Sequence, residues 1–465
     1  MATRMMRMKR INADSNSDRM YVQKVSLENI RSIKKLEMEF PNPAGWHVII
    51  GDNGSGKSTI LKAICYALLG VQDGPKLRVA TDSWLNSEAD FGVVSISFIR
   101  NFELDGEIQE EEDQFLDLDQ LISRITFLKA TNLKYNSPTS TEDIPDGTIA
   151  LFHVGNGKEP IYKRWGQNGW FSAAYGPFRR FSGGSPDNDR IFKSFPRLGA
   201  HLSLFGEDVA LTEAIEWVKE LDYKRLKELE KPGNGKDNTI IYNNLIRFIN
   251  ESKLLPHDSI IEGIDKDGII FKDGNGTQIQ ILELSDGYRS ILSLTFELIR
   301  QLVRVYGAQA VFADIEKGKM EINLPGVVLI DEIDAHLHPS WQVDIGFWFT
   351  KYFPQLQFIV TTHSPLVCRA AEKGSIWRLA KPGTDSEAQE ITGIEKDRLV
   401  YGNILDAYGT ELFGKNTVRS TQSNKKLERL GRLNMLYALG KIKPTEEKER
   451  LKLQKILSTD DPTGF

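Results

Sequence analysis

Apolar and polar positions alternate in short runs near the start of the chain. Residues 22–29 alternate loosely, and residues 33–40 alternate again. A period of two places one face of a strand against a core, so these runs predict two strands joined by a short turn. Residues 46–50 predict a third, mostly apolar strand that runs directly into glycines.

Other stretches carry apolar side chains at the spacing of a helix. Residues 58–70 predict a helix that ends at its terminal glycine, and residues 190–255 predict a helical insertion. Residues 93–180 are instead rich in β-forming residues and turn signals, which indicates a sheet-rich lobe. Two turn clusters within residues 258–283 predict a hairpin. A leucine stripe over residues 427–437, followed by Pro444 and a second apolar pattern, predicts two C-terminal helices.

The composition is that of an ordinary globular chain. Of its 465 residues, 40% are hydrophobic, which excludes wholesale disorder. Its two cysteines, Cys65 and Cys368, exclude a disulfide framework and a four-cysteine zinc site. The sequence contains no apolar run of about 18 residues, the length of a membrane helix, and no apolar segment follows its basic start, as a secretory signal would require. We therefore expect a soluble cytoplasmic protein.

Charge is unevenly distributed along the chain. The net charge of −5 argues against general non-specific DNA binding. Residues 103–119 hold nine acidic and no basic side chains, and we expect a solvated loop there. Residues 415–455 hold twelve Lys or Arg and four Glu. We expect this basic tail to form oligomer or partner contacts, because its leucine stripe needs a buried partner; a DNA contact is the alternative.

A glycine-rich segment joins the third predicted strand to the first predicted helix. Its sequence, Gly51-Asp-Asn-Gly-Ser-Gly-Lys-Ser58, matches G-x-x-x-x-G-K-[ST] in the strand-to-helix context that the motif requires. Glycines let backbone N–H groups approach phosphate oxygens, and a helix N-terminus favours an anion. The segment therefore predicts a nucleotide site in which Lys57 reaches the β- and γ-phosphates and the Ser58 hydroxyl ligates Mg²⁺.

Two later strands are predicted to end in polar side chains near this site. Residues 326–330 are followed by Asp331 and Glu332, and residues 357–362 are followed by His363. Ligands of open α/β sheets bind at the carboxyl ends of the strands. We expect Asp331 to hold Mg²⁺ through water and Glu332 to orient the attacking water and accept its proton. His363 can contact the γ-phosphate.

A further motif, Leu284-Ser-Asp-Gly-Tyr-Arg-Ser290, opens an apolar helix. Ser285 and Gly287 lie where a helix N-terminus offers hydroxyl and backbone donors to an anion. By itself the segment indicates only a helix cap. The segment becomes more informative when it is considered together with the phosphate loop and the two strand ends, in their order along the chain.

Together these motifs resemble the ABC-type ATPase head, in its soluble RecF/SMC/OLD-like branch. The resemblance covers roughly residues 20–370 and includes Ile333-Asp-Ala-His-Leu-His-Pro339. It implies a head-to-tail dimer with two ATPs in the interface. Ser285 and Gly287 of one subunit would complete the γ-phosphate site of the other, and Asp334 would couple the two sites.

The resemblance also implies a set of nucleotide-binding residues. Asn29-Ile-Arg-Ser-Ile33 is similar to a strand-turn whose arginine, here Arg31, lies near the nucleotide. The glutamine of the Q-loop has no assigned equivalent, although residues 174–180 lie at about its position. The residues expected to bind ATP within one subunit are Arg31, Asn53, Gly54, Ser55, Gly56, Lys57, Ser58 and Thr59.

These inferences predict an α/β fold: an ABC-ATPase head with a sheet-rich nucleotide-binding lobe, an inserted helical lobe and a helical C-terminal extension. The expected parts are a disordered lead-in (1–19), a first part of the ATPase lobe (20–185), a helical insertion (186–257), a second part of the ATPase lobe (258–385) and a basic helical region (386–465).

The C-terminal pattern Gly402-Asn-Ile-Leu-Asp-Ala-Tyr-Gly409 and the leucine helix after it resemble the ATPases of the Septu (PtuA-like) defence class. That resemblance implies an ATPase without nuclease activity of its own, working in an anti-phage complex with a separately encoded HNH nuclease (PtuB-like). It also implies a homodimer or higher homo-oligomer, with DNA as a further candidate partner. The alternatives are a RecF-like DNA repair or loading ATPase and a nucleotide-sensing scaffold with little turnover.

Overall fold

The computed structural model of the protein describes twelve stretches of the chain. They are residues 21–77, 83–99, 121–129, 148–155, 171–179, 194–206, 212–230, 237–255, 259–265, 268–384, 387–402 and 421–457. The predicted lead-in, the acidic run at 103–119 and the Gly402–Gly409 pattern beyond its first residue lie outside them. The chain divides into two units, Met1–Val400 and Tyr401–Phe465.

The strands of the described residues are β1 (Tyr21–Ile30), β2 (Ile33–Glu39), β3 (Gly45–Ile50), β4 (Phe91–Ile99), β5 (Leu121–Lys129), β6 (Thr148–Gly155), β7 (Ser172–Tyr175), β8 (Ile260–Ile264), β9 (Ile269–Lys272), β10 (Gln278–Gln280), β11 (Gly326–Ile330), β12 (Leu356–Thr362), β13 (Ile376–Arg378) and β14 (Gln389–Glu390). The helices are α1 (Lys57–Asp73), α2 (Pro196–Leu202), α3 (Thr212–Glu230), α4 (Asp237–Glu251), α5 (Asp286–Tyr306), α6 (Ala308–Glu316), α7 (Pro339–Tyr352), α8 (Gly393–Tyr401), α9 (Thr421–Ala438) and α10 (Pro444–Leu457). Short 3-10 helices occupy Gly74–Leu77, Ile281–Glu283 and Pro365–Ala370.

Two large sheets form the first unit. One is antiparallel, in the order β2-β1-β4-β5-β6, and the other is mainly parallel, in the order β14-β13-β3-β12-β11-β7. In the second sheet, β3, β12, β11 and β7 run parallel, so their carboxyl ends meet at one edge. The predicted α/β fold class is confirmed.

Helix α1 forms the centre of the core between the two sheets. Its residues from Ile60 to Leu69 are buried apart from Lys62, and they share one hydrophobic cluster with residues of both sheets. A helix that is apolar on all sides must be covered on all sides. Gly70 has φ 62 and interrupts the helical conformation, as the sequence predicted, although the helix resumes to Asp73.

The parallel sheet is covered on both faces. Ile359 on β12 lies in the cluster around α1, whereas the neighbouring Phe358 packs against Trp46 and against Phe349 of α7, with ring centroids 5.5 and 5.2 Å away. Successive strand residues point to opposite faces, so α1 and α7 cover the two sides. This explains why β11 and β12 are apolar without alternation.

The hairpin expected within residues 258–283 is wrong in detail. The structure has a three-stranded antiparallel sheet, β10-β9-β8, followed by a 3-10 helix at Ile281–Glu283. The segment contains two turn clusters, and each reverses the chain once. In the second, the Asp273 carboxylate accepts hydrogen bonds from the backbone N–H groups of Asn275 and Thr277, which stabilises the turn.

Helices α2, α3 and α4 lie within the residues predicted as a helical insertion. On α3, the apolar residues Ile215, Val218 and Leu221 are buried along one face. Leu226 and Leu229 further along the helix are about half exposed, at 47% and 57%. The buried stripe is therefore shorter than the apolar pattern of the sequence.

The second unit contains the two predicted C-terminal helices, α9 and α10. They pack through a small cluster formed by Leu430, Leu433 and Leu453. Of the predicted stripe, Leu427 and Tyr437 are exposed, because two helices alone can cover only a narrow face of each other. Within the described stretches, no helix combines the length and apolarity needed to cross a membrane.

Candidate active site

The phosphate loop joins the carboxyl end of β3 to the start of α1. Gly54 and Gly56 have φ values of 78° and 95°, a conformation that glycine adopts without a steric penalty. A Cβ atom on Gly56 would lie 3.1 Å from Cδ1 of Ile33, so the start of β2 packs closely against the loop. Both glycines of the motif therefore occupy backbone conformations that favour glycine.

Lys57 is the first residue of α1 and is only 6% exposed. Its ammonium group donates hydrogen bonds to the carbonyl oxygens of Gly51 and Asp52, at 2.8 and 3.1 Å. Burial lowers the pKa of Lys57, and the nearby carboxylates, Glu332 first among them, act in the opposite direction. The sites predicted from two distant sequence motifs thus interact electrostatically in one subunit.

The loop has the features required to hold a phosphate group. The Ser55 hydroxyl oxygen is buried and has no hydrogen-bond partner among the described residues. Buried polar atoms are rarely left unpaired, and each such atom calls for an explanation. Asn53 and Gly54 are exposed on the loop, and Ser58 is half-buried at the helix start. A nucleotide phosphate fits this set, because the loop offers backbone and hydroxyl donors beside one buried ammonium group.

Asp331 and Glu332 follow β11 and are held by the neighbouring strand. Thr361 on β12 donates its hydroxyl proton to Asp331 Oδ1 at 2.5 Å and accepts a hydrogen bond from the Glu332 N–H at 2.8 Å. Asp331 is 3% exposed. Glu332 has φ 46, a strained conformation for a residue with a side chain. One threonine therefore fixes the orientation of both predicted catalytic-site acids.

A second threonine connects Asp334 to the strand end that carries His363. Thr362 donates to Asp334 Oδ1 at 2.6 Å, and the His363 N–H donates to Asp334 Oδ2 at 3.4 Å. The His363 side chain is exposed, so it is accessible to a ligand. Asp334 also acts electrostatically on Lys57 of its own chain.

The structure places Arg31 beside the start of α1. Its guanidinium donates to Thr59 Oγ1 at 3.4 Å and to the Ser83 carbonyl oxygen at 3.1 Å, and it lies 5.0 Å from the centre of the Trp84 ring. Burial lowers the pKa of Arg31. Both Asn29 and Arg31 have positive φ values, so a tight turn between β1 and β2 directs Arg31 towards α1.

The predicted signature residues lie at the start of α5. Ser285 is the exposed N-cap, and the helix begins at Asp286. A Cβ atom on Gly287 would lie 2.7 Å from the carbonyl oxygen of His336, which belongs to the loop after Glu332. Only glycine permits this close approach. The start of α5 therefore packs against the loop after Glu332 in the same chain.

Arg179 was not identified as a site residue from the sequence. It lies within residues 174–180, at about the position expected for a Q-loop. Arg179 is 3% exposed, and its guanidinium contacts both the helix α5 and the loop after β11. Thr361 and Thr362 were likewise not recognised as partners of the acids. The only sequence signal for them is their position at a strand end next to His363.

A cavity of about 460 Å³ lies beside the phosphate loop. Its lining includes Gly54 and Ser55 of the loop, Lys34 and Lys35 of β2, and Lys381. This volume lies in the range of small-molecule sites. The cavity therefore provides space next to the predicted phosphate position for the rest of a ligand.

Comparison with known proteins identifies the family of the chain. A family model described as "AAA domain" matches residues 24–265, more than half of the chain. The chain belongs to the AAA-domain family. A second AAA-domain model, whose description also names the AbiEii toxin and a Type IV TA system, matches residues 180–369. The two matches together include every predicted site residue of this AAA-domain protein.

Two curated relatives show the predicted likeness. The Retron Vc95 probable ATPase of Vibrio cholerae serotype O1 biovar El Tor is 26% identical over 392 residues, 76% of this chain and 72% of the relative. Septu protein PtuA of Bacillus mycoides (strain KBAB4) is 24% identical over 365 residues, 77% of this chain but 40% of the relative. The chain thus spans less than half of that PtuA protein. The predicted resemblance to Septu PtuA proteins is confirmed.

Among solved structures, the chain is similar to the SMC head bound to the C-terminal winged-helix domain of ScpA. That likeness has a TM-score of 0.45 and 20% sequence identity, and it covers 81% of this chain and 98% of the other.

Proposed function

We propose that this AAA-domain protein is the ATP-hydrolysing subunit of an anti-phage defence complex, which closes as a dimer around two ATPs and regulates a separately encoded HNH-type nuclease. The observation that carries the ATPase part is the position of Lys57, which lies within electrostatic reach of Glu332, Asp331 and Asp334. The candidate phosphate-binding lysine and the candidate base are far apart in the sequence but interact in the folded chain.

In the proposed reaction, the phosphate loop and Lys57 hold the β- and γ-phosphates of ATP. Glu332 orients a water molecule for attack on the γ-phosphorus and accepts its proton, while the bond to the β-phosphate oxygen breaks to give ADP and phosphate. Thr361 keeps the backbone of Glu332 in place through a 2.8 Å hydrogen bond. His363 is exposed beside this position and would contact the γ-phosphate.

The donor set also fits Mg²⁺. The ion prefers oxygen ligands and keeps several waters, using one or two carboxylates together with phosphate oxygens. Ser58 and Asp331 would hold it, and bound Mg²⁺ neutralises charge on the β- and γ-phosphates. Thr361 fixes one Asp331 oxygen, which leaves the other oxygen for a water ligand of the ion.

The start of α5 supports the dimer. Ser285 is an exposed helix N-cap whose side chain makes no capping hydrogen bond, so its hydroxyl is available to an anion from outside the subunit. We propose that Ser285 and Gly287 contact the γ-phosphate bound by the partner subunit. Asp334, close to Lys57 in its own chain, would then couple the two sites.

The defence role is supported by the relatives. They include Septu PtuA proteins and probable retron ATPases, and the C-terminal pattern of this chain resembles the same Septu class. We propose an HNH nuclease as the partner and no nuclease activity in this chain. The basic helices α9 and α10 are the candidate contact surface for that partner or for a further copy.

Two substitutions test the ATPase assignment. Lys57→Ala should abolish ATP binding, because it removes the buried phosphate ligand, as calorimetry would show. Glu332→Gln should bind ATP as tightly as the wild type but lose turnover, by a factor of about 100 or more. Glu251→Gln, an exposed acid at the end of α4, is the matched control and should retain full turnover. Full hydrolysis by Glu332→Gln would remove Glu332 from the catalytic role.

The partner is tested by purifying the tagged full chain from its own host and identifying the proteins in the eluate by mass spectrometry. A small nuclease in a fixed ratio to this chain is expected. A homo-oligomer without a nuclease, whose ATP turnover is stimulated by DNA, would contradict the defence role and support a RecF-like repair or loading ATPase.

A further inference from the structure

One buried arginine joins the signature helix α5 to the loop that carries Glu332. The Arg179 Nε donates to Ser290 Oγ at 3.0 Å. Its Nη1 donates to the carbonyl oxygens of Gly176 and Asp331, both at 2.9 Å. Its Nη2 donates to the carbonyl oxygen of Glu332 at 3.1 Å and lies 3.5 Å from that of Ile333. The guanidinium therefore contacts three consecutive carbonyl groups of the catalytic loop.

The interactions of Arg179 are unusual for a buried cation. A guanidinium has five N–H donors, and here they point at five oxygen atoms, all of them neutral. Burial of a charge without an ion pair is costly, and only a complete set of hydrogen bonds offsets part of that cost. Asp331, Asp334 and Glu332 add longer-range electrostatic support. Such a set requires one fixed arrangement of β7, α5 and the loop.

We propose that Arg179 is a positioning residue that couples the start of α5 to Glu332 within one subunit. The proposal rests on the function proposed above, in which Ser285 and Gly287 contact the ATP of the partner. Ser290 lies three residues after Gly287, about one helical turn, and the α-helix moves as a rigid element. A displacement at Ser285 would therefore reach Ser290, and Arg179 would transmit it to the Asp331 and Glu332 carbonyl groups.

Two further observations support the coupling. A Cβ atom on Gly287 would lie 2.7 Å from the carbonyl oxygen of His336, so the start of α5 also packs closely against a later residue of the same loop. Glu332 itself is held at φ 46, and a strained backbone persists only where its surroundings enforce it. Arg179 donates directly to the Glu332 carbonyl, so loss of this bond would let the Glu332 backbone relax.

The test compares Ser290→Ala with Thr295→Val in the full chain. Both positions carry buried hydroxyl groups on α5, but Ser290 accepts from Arg179, whereas the Thr295 hydroxyl has no partner among the described residues. We expect Ser290→Ala to lower kcat about tenfold, with the ATP dissociation constant unchanged within about twofold. Thr295→Val should change neither value.

Substitution of the arginine supplies the second arm. Arg179→Gln should lower kcat further than Ser290→Ala, and Arg179→Lys should recover part of the loss because it keeps the charge. The double variant Arg179→Gln/Ser290→Ala should be no slower than Arg179→Gln, since both changes break one connection. If the Arg179 variants do not fold, the comparison of Ser290→Ala with Thr295→Val still decides.

The outcomes separate this proposal from the ATPase assignment. Additive losses in the double variant, or equal kcat values for Ser290→Ala and the wild type, would overturn the coupling role of Arg179 while the ATPase assignment stands. An inactive wild type, or a Glu332→Gln variant with full turnover, would instead overturn the proposed function.

Discussion

At the scale of single residues, two histidines are enclosed in the fold as neutral side chains. The Nε2–H of His47 donates to the Pro43 carbonyl oxygen at 2.8 Å, and its Nδ1 accepts a hydrogen bond from Ser375 Oγ at 2.9 Å. His201 makes equivalent contacts with Ser172 Oγ and the Arg197 carbonyl oxygen. Burial lowers the pKa of His47 to about 4 and that of His201 to about 3. Neither ring is therefore protonated in the folded protein at neutral pH.

These values predict a loss of stability in mild acid. Below a pH of about 6.5, the ordinary pKa of histidine, the unfolded chain takes up a proton at each ring, whereas the folded chain does not. The unfolded state then binds more protons, so the free energy of unfolding falls as the pH decreases from about 6.5 to about 4. Each histidine should contribute about 1.4 kcal/mol per pH unit.

The variant His201→Gln isolates one of these contributions. The free energy of unfolding is measured with urea for wild type and variant at several pH values between 7.5 and 4.5. Below about pH 6.5, its slope against pH should be smaller in the variant by about 1.4 kcal/mol per pH unit. Other titrating groups affect both proteins and cancel in the difference. Equal slopes would show that His201 is protonated in the folded state as well.

Which site residues the sequence reveals depends on whether their partners are local. Two of the motifs are contiguous in sequence: the glycines with Lys57, and the neighbouring pair Asp331 and Glu332. Each of these motifs is recognisable without knowledge of the fold. The role of Arg179 depends on Ser290 and on the loop after β11, which are 111 and 152 residues away in sequence. No local pattern marks such a residue, so the sequence located only its segment.

At the scale of elements, a single side chain links β12 of the parallel sheet to β1 of the antiparallel sheet. Gln357 is fully buried. Its amide donates to the Val22 carbonyl oxygen and accepts from the Val22 N–H, both at 2.9 Å. The Gln357 side chain thereby pairs with the backbone of β1 as a neighbouring strand would, and it connects the two sheets.

Substitution Gln357→Leu should therefore destabilise the fold. It keeps a side chain of similar size but leaves the N–H and carbonyl groups of Val22 without partners, and each unpaired buried group costs roughly 1–3 kcal/mol. We expect a loss of about 2 kcal/mol or more in the free energy of unfolding, measured with urea. The exposed Gln389→Leu on β14 should stay within about 0.5 kcal/mol of the wild type. Equal stabilities of the two variants would contradict the linking role.

The elements themselves were predictable where the pattern is local. The runs at 22–29 and 33–40 correspond to β1 and β2, and the apolar run at 326–330 corresponds to β11. The membership of β7 in the parallel sheet was not predictable, because Ser172 pairs with Val327 across more than 150 residues. Local pattern gives the type of an element, whereas its neighbours are set by packing over long sequence distances.

At the scale of the whole molecule, we propose that each nucleotide site takes part of its chemistry from the other subunit. Lys57, Asp331 and Glu332 meet within one chain, while Ser285 is exposed at the N-terminus of α5. Both groups of residues are present in one sequence, but the sequence does not reveal that they would meet across a dimer interface. The dimer is therefore the least local feature of the proposal, and it depends on ATP.

The second unit has a small hydrophobic core. In the described part of this unit, the buried cluster between α9 and α10 consists of Leu430, Leu433 and Leu453, with Ile442 and Leu457 packed against it. A core of this size gives little stability to an isolated pair of helices. Several large apolar side chains on the same two helices are exposed, including Met435 and Leu451. We expect contacts with another chain to add stability to this unit.

The central claim is that two copies of this chain close around ATP. The most direct test is the native mass of the Glu332→Gln variant with ATP and Mg²⁺, compared with ADP and Mg²⁺. We expect ATP to double the number of chains in the particle, with one ATP per chain, and we expect the added Ser285→Arg substitution to abolish the doubling. An identical native mass with ATP and with ADP, while ATP is bound, would contradict it.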